Sequence, residues 1–374
     1  MNLFDKGRRT MKKIVLFSCR DYNFYNFRSD LILNLKDIGY DVLLVSPYGE
    51  KIDYFTDRGI RFKSIEINRR GKNVFEELRL IREIKNILVT EKPDLVMTYN
   101  GKTSFYPSYL CKRLHIPHIV NNAGVMKGNR VLIAFIEMLY KVCENKATCI
   151  MYQNSYERDY TQHLLRNKTH YRLLPGSGVD LDKFAYTAYP YNNGKVIIDY
   201  VARIVKFKGI EEYLECARCV KQKHPNTEFR IFGDYDDDKY RPIIEDLNKK
   251  GIVNYCGVVK DIYPKVVESN LCVHVSEYEG MTNAILEHSA VGRPCIGSNV
   301  PGVRDGIEDG VTGYICNVGD SDSLIDKVEL FLSLSFEEKK KMGEEARKKM
   351  EREFDRNIVS AIYLDEINSA LTID

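Results

Sequence analysis

Short β-branched runs alternate along the chain with longer stretches whose apolar positions recur every three or four residues. KIVLFSC (13–19) predicts a strand, residues 24–38 a helix and DVLLVS (41–46) a second strand. In FEELRLIREIKNILVTEK (75–92) the apolar positions 75, 78, 81, 84, 87 and 88 form one helical stripe. DLVMTY (94–99) follows as a strand after Pro93, then a helix over 103–114, strand HIVN (118–121), a helix over 130–145, strand TCIMYQ (148–153) and a helix from Ser155. After the polar, turn-rich YPYNNGK (189–195) the pattern restarts. Strands are predicted at 196–202, 228–233, 253–257, 271–276 and 293–298, separated by helices over 209–223, 239–249 and 261–269 and by one through EGMTNAILE, which starts near Gly280–Met281.

Strand and helix alternating at this spacing imply parallel sheets covered on both faces. The chain is therefore expected to hold two doubly wound α/β domains, over 12–190 and 195–353, after an N-terminal tail at 1–11. The charged, helical segment 354–374 is long enough to pack back on the first domain. Ligands of open parallel sheets bind beyond the carboxyl ends of the strands, so two such domains facing one another would form a cleft there.

Composition narrows the picture. Residues 1–190 carry 31 Lys+Arg against 20 Asp+Glu, or +11, and residues 191–374 carry 25 against 33, or −8. A basic first half points to an anionic partner such as lipid headgroups, a phosphorylated substrate or nucleic acid; uneven surface charge without a partner is the other reading. Ten cysteines are scattered without the two paired C-x-x-C sets of a zinc site, which points to reduced thiols in a cytosolic protein. The N-terminal MNLFDKGRRTMKKIVLF does not have the form of a signal peptide, and no apolar run approaches the roughly 20 residues of a membrane-spanning helix.

Two constellations follow predicted strands. ARIVKFKG places Arg203, Lys206 and Lys208 before Gly209 and a helix N-terminus; this is either an anion site fit for a diphosphate or a solvated basic loop. SEYEGMTNAILE places Glu279 in a loop just before a helix, with Gly280 and Met281 at the helix start and Thr282 in its first turn. Glu287 lies two turns on, about 12 Å along the axis. Consecutive positions along one helix bracket a glycosidic bond poorly, which disfavours a glycosidase carboxylate pair. Separate grips on the hydroxyls of a sugar and of a ribose suit the spacing better; a helix-terminus charge at Glu279 and a buried ion pair at Glu287 remain open. DYDDD (234–238) is expected to be a solvated loop rather than a metal motif, and His274 a satisfied core residue. RVLIAFIEMLYKVCENK (130–146) forms an amphipathic helix, for the core or for a membrane interface.

The motifs S-x-x-E-G-M-x-x-x-x-L-E-x-x-A-x-G-R-P (276–294) and P-G-x-R-D-x-x-x-D-G-x-T-G-Y (301–314) resemble the C-terminal signature of family 4 retaining GT-B glycosyltransferases. The upstream R-x4-K-G (Arg203, Lys208, Gly209) and GVD (178–180) stand in the family's order, and the resemblance covers nearly the whole chain. The first half is most similar to transferases that extend undecaprenyl-diphosphate-linked sugars: FYNFR (24–28) resembles their Y-H-F-R and NGKTSFYPSYLCKRLHIP (100–117) their lysine-containing segment.

The resemblance implies that Arg203 and Lys208 hold a donor diphosphate and, with Glu279, form the catalytic set. Glu287 would hold the ribose, Gly257 and Val258 border the nucleobase, and Glu279, Gly280, Met281 and Thr282 face the donor sugar and β-phosphate. Arg20, Arg28, Lys102, Asn122 and Gly124 would contact the acceptor; for Arg20 and Arg28 a salt bridge to Asp21 or Asp30 is the alternative. It further implies no metal, no cofactor beyond a nucleotide-sugar substrate (a UDP sugar), no nucleic-acid partner, a lipid-linked saccharide acceptor, and peripheral contact of the N-terminal domain with the inner face of the cell membrane. One departure concerns the base: Ala123 in NNAGV stands where many relatives carry His, and His118 is displaced to the strand's start. A leaving phosphate oxygen could take the acceptor proton instead. A nucleotide-sugar epimerase of the same architecture and a non-catalytic sugar-binding protein are the competing readings.

Overall fold

The computed structural model describes residues 11–68, 73–99, 101–122, 130–166 and 168–372. Two compact units divide the chain: Met1–Leu174 with Ser360–Asp374, and Pro175–Val359.

In the first unit the strands are β1 (Lys13–Ser18), β2 (Asp41–Ser46), β3 (Arg61–Ser64), β4 (Leu95–Tyr99), β5 (His118–Asn122), β6 (Cys149–Tyr152) and β7 (Tyr171–Leu173), in the order 3-2-1-4-5-6-7. Every pairing is parallel. The connecting helices are α1 (Asp21–Ile38), the short α2 (Asp53–Thr56), α3 (Val74–Glu91), α4 (Lys102–Leu114), α5 (Arg130–Leu139), which continues into a π-helical turn at Tyr140–Glu144, and α6 (Ser155–Leu164). Residues 14–17 of β1 are wholly buried, so the strand is covered on both faces. Val15 and Phe17 face Leu80, Ile84 and Ile87 of α3 and Leu110 of α4.

The second unit repeats the plan with six parallel strands: β8 (Val196–Val201), β9 (Thr227–Phe232), β10 (Val253–Gly257), β11 (Leu271–His274), β12 (Cys295–Ser298) and β13 (Gly313–Cys316), in the order 10-9-8-11-12-13. Its helices are α7 (Ile210–Lys223), α8 (Arg241–Lys249), α9 (Tyr263–Glu268), α10 (Asn283–Val291), α11 (Ser321–Ser333) and α12 (Phe336–Lys349). Both sheets reverse direction beside their first strand, between β1 and β4 and between β8 and β11. Such a switch point opens a crevice at the carboxyl ends of the strands.

The boundary falls between Leu174 and Pro175, earlier than the expected 190–195. The intervening residues are fastened to the second unit. The Val179 N–H donates to Phe354 O at 2.8 Å, Phe184 joins a core cluster with Leu286, Ala290 and Met350, and Tyr189 donates its hydroxyl to Asn270 O at 3.1 Å. A turn-rich composition at 189–195 thus marks a surface turn after an anchored tyrosine. The last helix, α13 (Arg356–Thr372), begins in the second unit and finishes in the first, where Tyr363 is fully buried and bonds the Asn121 side chain. The return starts at Ser360 rather than at 354, since Phe354 is part of the second unit's core.

Among the described residues no helix is long and apolar enough to cross a membrane.

Candidate active site

The switch point of the second unit gathers most of the residues singled out in the sequence. β8 ends at Val201 and runs into Arg203 and Lys208; β11 ends at His274 and runs into Ser276 and Glu279. Their strands are neighbours, so the two loops leave the sheet side by side.

Local chemistry fixes both loops. The hydroxyl of Tyr200, a buried residue of β8, donates toward the carbonyls of Arg203 and Lys208, 3.2 Å from each, pinning the basic loop from below. Gly209 closes the loop at φ 75°, and a Cβ there would meet Val275 O at 2.3 Å, so only glycine lets α7 start this close to β11. The rings of Phe207 and Tyr278 stack with centroids 5.0 Å apart, and Glu277 N donates to Phe207 O at 2.9 Å. The second loop is held from its far side: Thr282 N donates to Gly302 O at 3.0 Å, and Ser298 Oγ to Ser276 O at 2.5 Å.

Within this frame one carboxylate oxygen collects three donors. Glu279 Oε1 takes an ion pair from Lys208 Nζ, lies 2.9 Å from His274 Nε2 and accepts from Ser276 Oγ at 2.8 Å. Burial alone would raise the Glu279 pKa; the His274 bond and charge, and then Lys208, outweigh it and hold the carboxyl at about 2. Arg203 is paired with Asp236 at 2.7 Å and stacks on Phe207, 5.5 Å from its centroid. The loop DYDDD is exposed at Asp234, Asp236 and Asp238, as expected, and also supplies the partner of Arg203.

Glu287 sits apart from this cluster on α10. Burial pushes its carboxyl up to about 7, with Lys183 and Arg356 lowering it and Asp261 raising it through charge rather than by hydrogen bond. Helix α10 starts beyond the expected Gly280–Met281: Thr282 is its N-cap and Asn283 its first residue. Gly280 and Met281 lie in the loop before the cap, and Met281 packs over Gly176, where a Cβ would come within 2.4 Å of its side chain. Gly257 ends β10 at φ 67° and Val258 beyond it is 72% exposed, leaving an uncovered apolar surface at that corner. Arg293, wholly buried, is satisfied by carbonyls on either side, including those of Val266, Val267, Thr187 and Ala188. It is a clasp beneath the site rather than a part of it.

In the first unit Arg20, Lys102 and Asn122 stand at the carboxyl ends of β1, β4 and β5. Arg20 is exposed over the Tyr22 ring. Lys102 is paired with Glu77 and donates to Asn68 O at 2.8 Å. Asn122 Nδ2 donates at 3.0 Å to Glu144, a buried carboxyl that desolvation raises to about 8. Arg28 is 6% exposed, donates to Phe27 O at 2.6 Å and packs over the rings of Tyr99 and Tyr363, 5.4 and 5.1 Å from their centroids, in place of the alternative salt bridge. Gly124 and Ala123 lie outside the described residues. His118 is buried, with Nδ1 3.2 Å from Ile116 O, and burial lowers its pKa to about 4, as befits a structural histidine.

His274 and Ser276 are the site residues that sequence reasoning left without a role. His274 is buried and hydrogen-bonded, as a core histidine would be; the signal for more was its position as the last residue of β11 at a switch point.

Two family models match the chain. The model described as glycosyl transferases group 1 covers residues 187–349, and that described as glycosyl transferase 4-like covers 13–154. An N,N'-diacetylbacillosaminyl-diphospho-undecaprenol alpha-1,3-N-acetylgalactosaminyltransferase of Campylobacter jejuni is 24% identical over 366 residues, covering 91% of this chain and 94% of its own. A UDP-Gal:alpha-D-GlcNAc-diphosphoundecaprenol alpha-1,3-galactosyltransferase of Escherichia coli is 23% identical, covering 76% and 78%. Among solved structures, a glycosyltransferase from Rickettsia africae superposes with a TM-score of 0.81 at 17% identity over 98% of this chain and 100% of its own. Anabaena HepE in complex with UDP and glucose does so at 0.76 and 14% identity, over 96% and 100%. At these identities the structural likenesses speak for the fold alone.

Proposed function

Since the chain belongs to the family 4-type glycosyltransferases of GT-B fold, we propose that it moves a hexose or N-acetylhexosamine, with retention of configuration, from a UDP sugar to a lipid-linked saccharide in surface-glycan assembly. The observation that carries this is the convergence of Lys208, His274 and Ser276 on Glu279 at the switch point of the second unit, next to Arg203.

The second unit is the donor-binding unit in this reading. Lys208 and Arg203 turn from Glu279 and Asp236 to the donor diphosphate, and their charge offsets what develops on the departing phosphate as the glycosidic bond breaks. Glu279, released by Lys208 but still held by His274 and Ser276, accepts hydrogen bonds from hydroxyls of the donor sugar. Glu287 grips the ribose diol, and Val258 lies against the base. The UDP-Gal donor named for the E. coli relative favours uridine over other nucleotides. These roles use side chains alone and route no step through a metal. With Ala123 where many relatives carry His, a phosphate oxygen of the leaving group takes the acceptor proton in this reading.

The first unit receives the acceptor, with Arg20, Lys102 and Asn122 on its ligand edge and Gly124 in the segment that follows β5. The two relatives are named for undecaprenyl-diphosphate-linked acceptors. Contact with the membrane that would carry such a lipid is assigned to α5. Val131, Phe135, Met138 and Val142 are exposed and recur at steps of four, three and four, one helical stripe, flanked by exposed Arg130 and Lys141. An apolar stripe with basic flanks suits the interface of an anionic bilayer on its cytoplasmic side.

Incubation with radiolabelled UDP sugars and cell membranes tests the proposal. Label in the lipid extract is the expected result. No lipid-extractable label with any common UDP sugar overturns it, and epimerised sugar nucleotide without transfer would favour an epimerase.

A further inference from the structure

Away from the sheet's ligand edge, the first unit brings together three side chains of a kind that hold transition metals. Cys149 opens β6, His170 directly precedes β7, and Glu366 projects from α13. A thiol sulfur, an imidazole nitrogen and a carboxylate oxygen from these residues all lie within 4.8 Å of one another. Among the described residues it is the one group of this kind.

The partners already formed make the arrangement more than coincidence of sequence. His170 Nε2 is 3.0 Å from Glu366 Oε2, and Arg172 engages the other oxygen, Oε1. Arg172 also donates to Asp365 at 2.9 Å. Glu366 is therefore oriented, with Oε2 and the imidazole edge turned to the same point as the buried Cys149 sulfur. His170 is exposed and leaves an entry from solvent.

We propose that Cys149, His170 and Glu366 form a zinc site that fastens α13 to β6 and β7. Zinc takes sulfur, nitrogen and oxygen donors at about 2.0–2.3 Å in a tetrahedron, which places neighbouring donors roughly 3.3–3.8 Å apart. The observed separations need only a modest inward closure. Charge balances. The thiol gives its proton to solvent on coordination, and thiolate and carboxylate then neutralise the divalent ion, while Arg172 keeps Asp365 as its counter-charge. Water completes the fourth position. The ion lies at the opening ends of β6 and β7, so its work is structural and independent of glycosyl transfer.

Calorimetric titration of chelator-treated full-length protein with Zn2+ is the test, in a background with Cys216 and Cys219 replaced by serine because these two stand at C-x-x-C spacing on α7. One equivalent is expected to bind, with the thermal midpoint rising, and Cys149→Ser and His170→Ala are each expected to weaken binding at least about 10-fold. Replacement by Co2+ is expected to give a sulfur-to-metal charge-transfer band that Cys149→Ser abolishes. His170→Ala, an exposed position, covers the case in which Cys149→Ser fails to fold. A dissociation constant weaker than about 0.1 mM, or equal binding in wild type and His170→Ala, overturns the proposal.

Discussion

His274 Nε2 lies 2.9 Å from Glu279 Oε1, and the same oxygen also receives Lys208 and Ser276. Three donors on one oxygen make Glu279 a fixed anion rather than a proton donor, since its carboxyl titrates near 2. Its ordinary value is 4.5, so the stability it contributes is complete above about 4.5 and is lost as pH falls through 2. Urea unfolding of wild type and Glu279→Gln is expected to converge between pH 4.5 and 2, wild type being the more stable at pH 7 by a few kcal/mol. Parallel pH curves would show that the cluster holds no depressed carboxylate.

Glu287 should behave in the opposite sense. Its folded carboxyl is raised to about 7 by burial, so folding is favoured by the protonated form and stability falls as pH rises from about 4.5 through 7. Glu287→Gln is expected to unfold at a higher temperature than wild type at pH 8 and at the same temperature at pH 4. Glu287→Ala is expected to weaken UDP binding about 10-fold or more by calorimetry, the loss of a charged acceptor for two hydroxyls. Strain accepted for ligand's sake would then be visible in one residue.

Lys208→Ala removes a charge-assisted contact to the diphosphate and is expected to lower UDP affinity about 10- to 100-fold. The salt dependence of binding should flatten as well. Unchanged affinity would place the diphosphate elsewhere.

Arg28→Ala separates fold from site. The guanidinium lies over Tyr99 and Tyr363, each contact worth about 1–2 kcal/mol when desolvated. The variant is expected to melt several degrees lower yet to bind UDP within about 2-fold of wild type, below the 1.4 kcal/mol that a tenfold change represents.

The α5 stripe predicts a membrane phenotype. Phe135→Glu is expected to reduce sedimentation with vesicles containing anionic lipid while leaving UDP binding intact. Retention on vesicles equal to wild type would remove α5 from the interface.

Much of the fold was legible because central strands of parallel sheets are buried on both faces and give unbroken apolar runs, as in KIVLFS and LVMTY. The strands that went unread, β3, β7 and β13, are all at sheet edges. β3 (RFKS) and β7 (YRL) carry no buried residue, so burial leaves no pattern to read. In the candidate site, position after strands together with the family motifs singled out Glu279, Arg203 and Lys208. What sequence could not convey was pairing: that Lys208 rests on Glu279, that Asp236 holds Arg203, and that Arg28 lies beneath Tyr363, a residue far along the chain.

That last distance has a consequence for how the protein is made. Domains emerging from the ribosome ordinarily fold in order of synthesis. Here Tyr363, Ile367 and Ala370 fill buried positions of a unit whose other residues end at Leu174. Asn121 cannot gain its tyrosine partner, nor Arg28 its second ring, until the second unit has been translated in full. The nascent first unit therefore waits with an open seam, and stopping the chain at Val359 should leave it a client of chaperones even when the second unit folds normally.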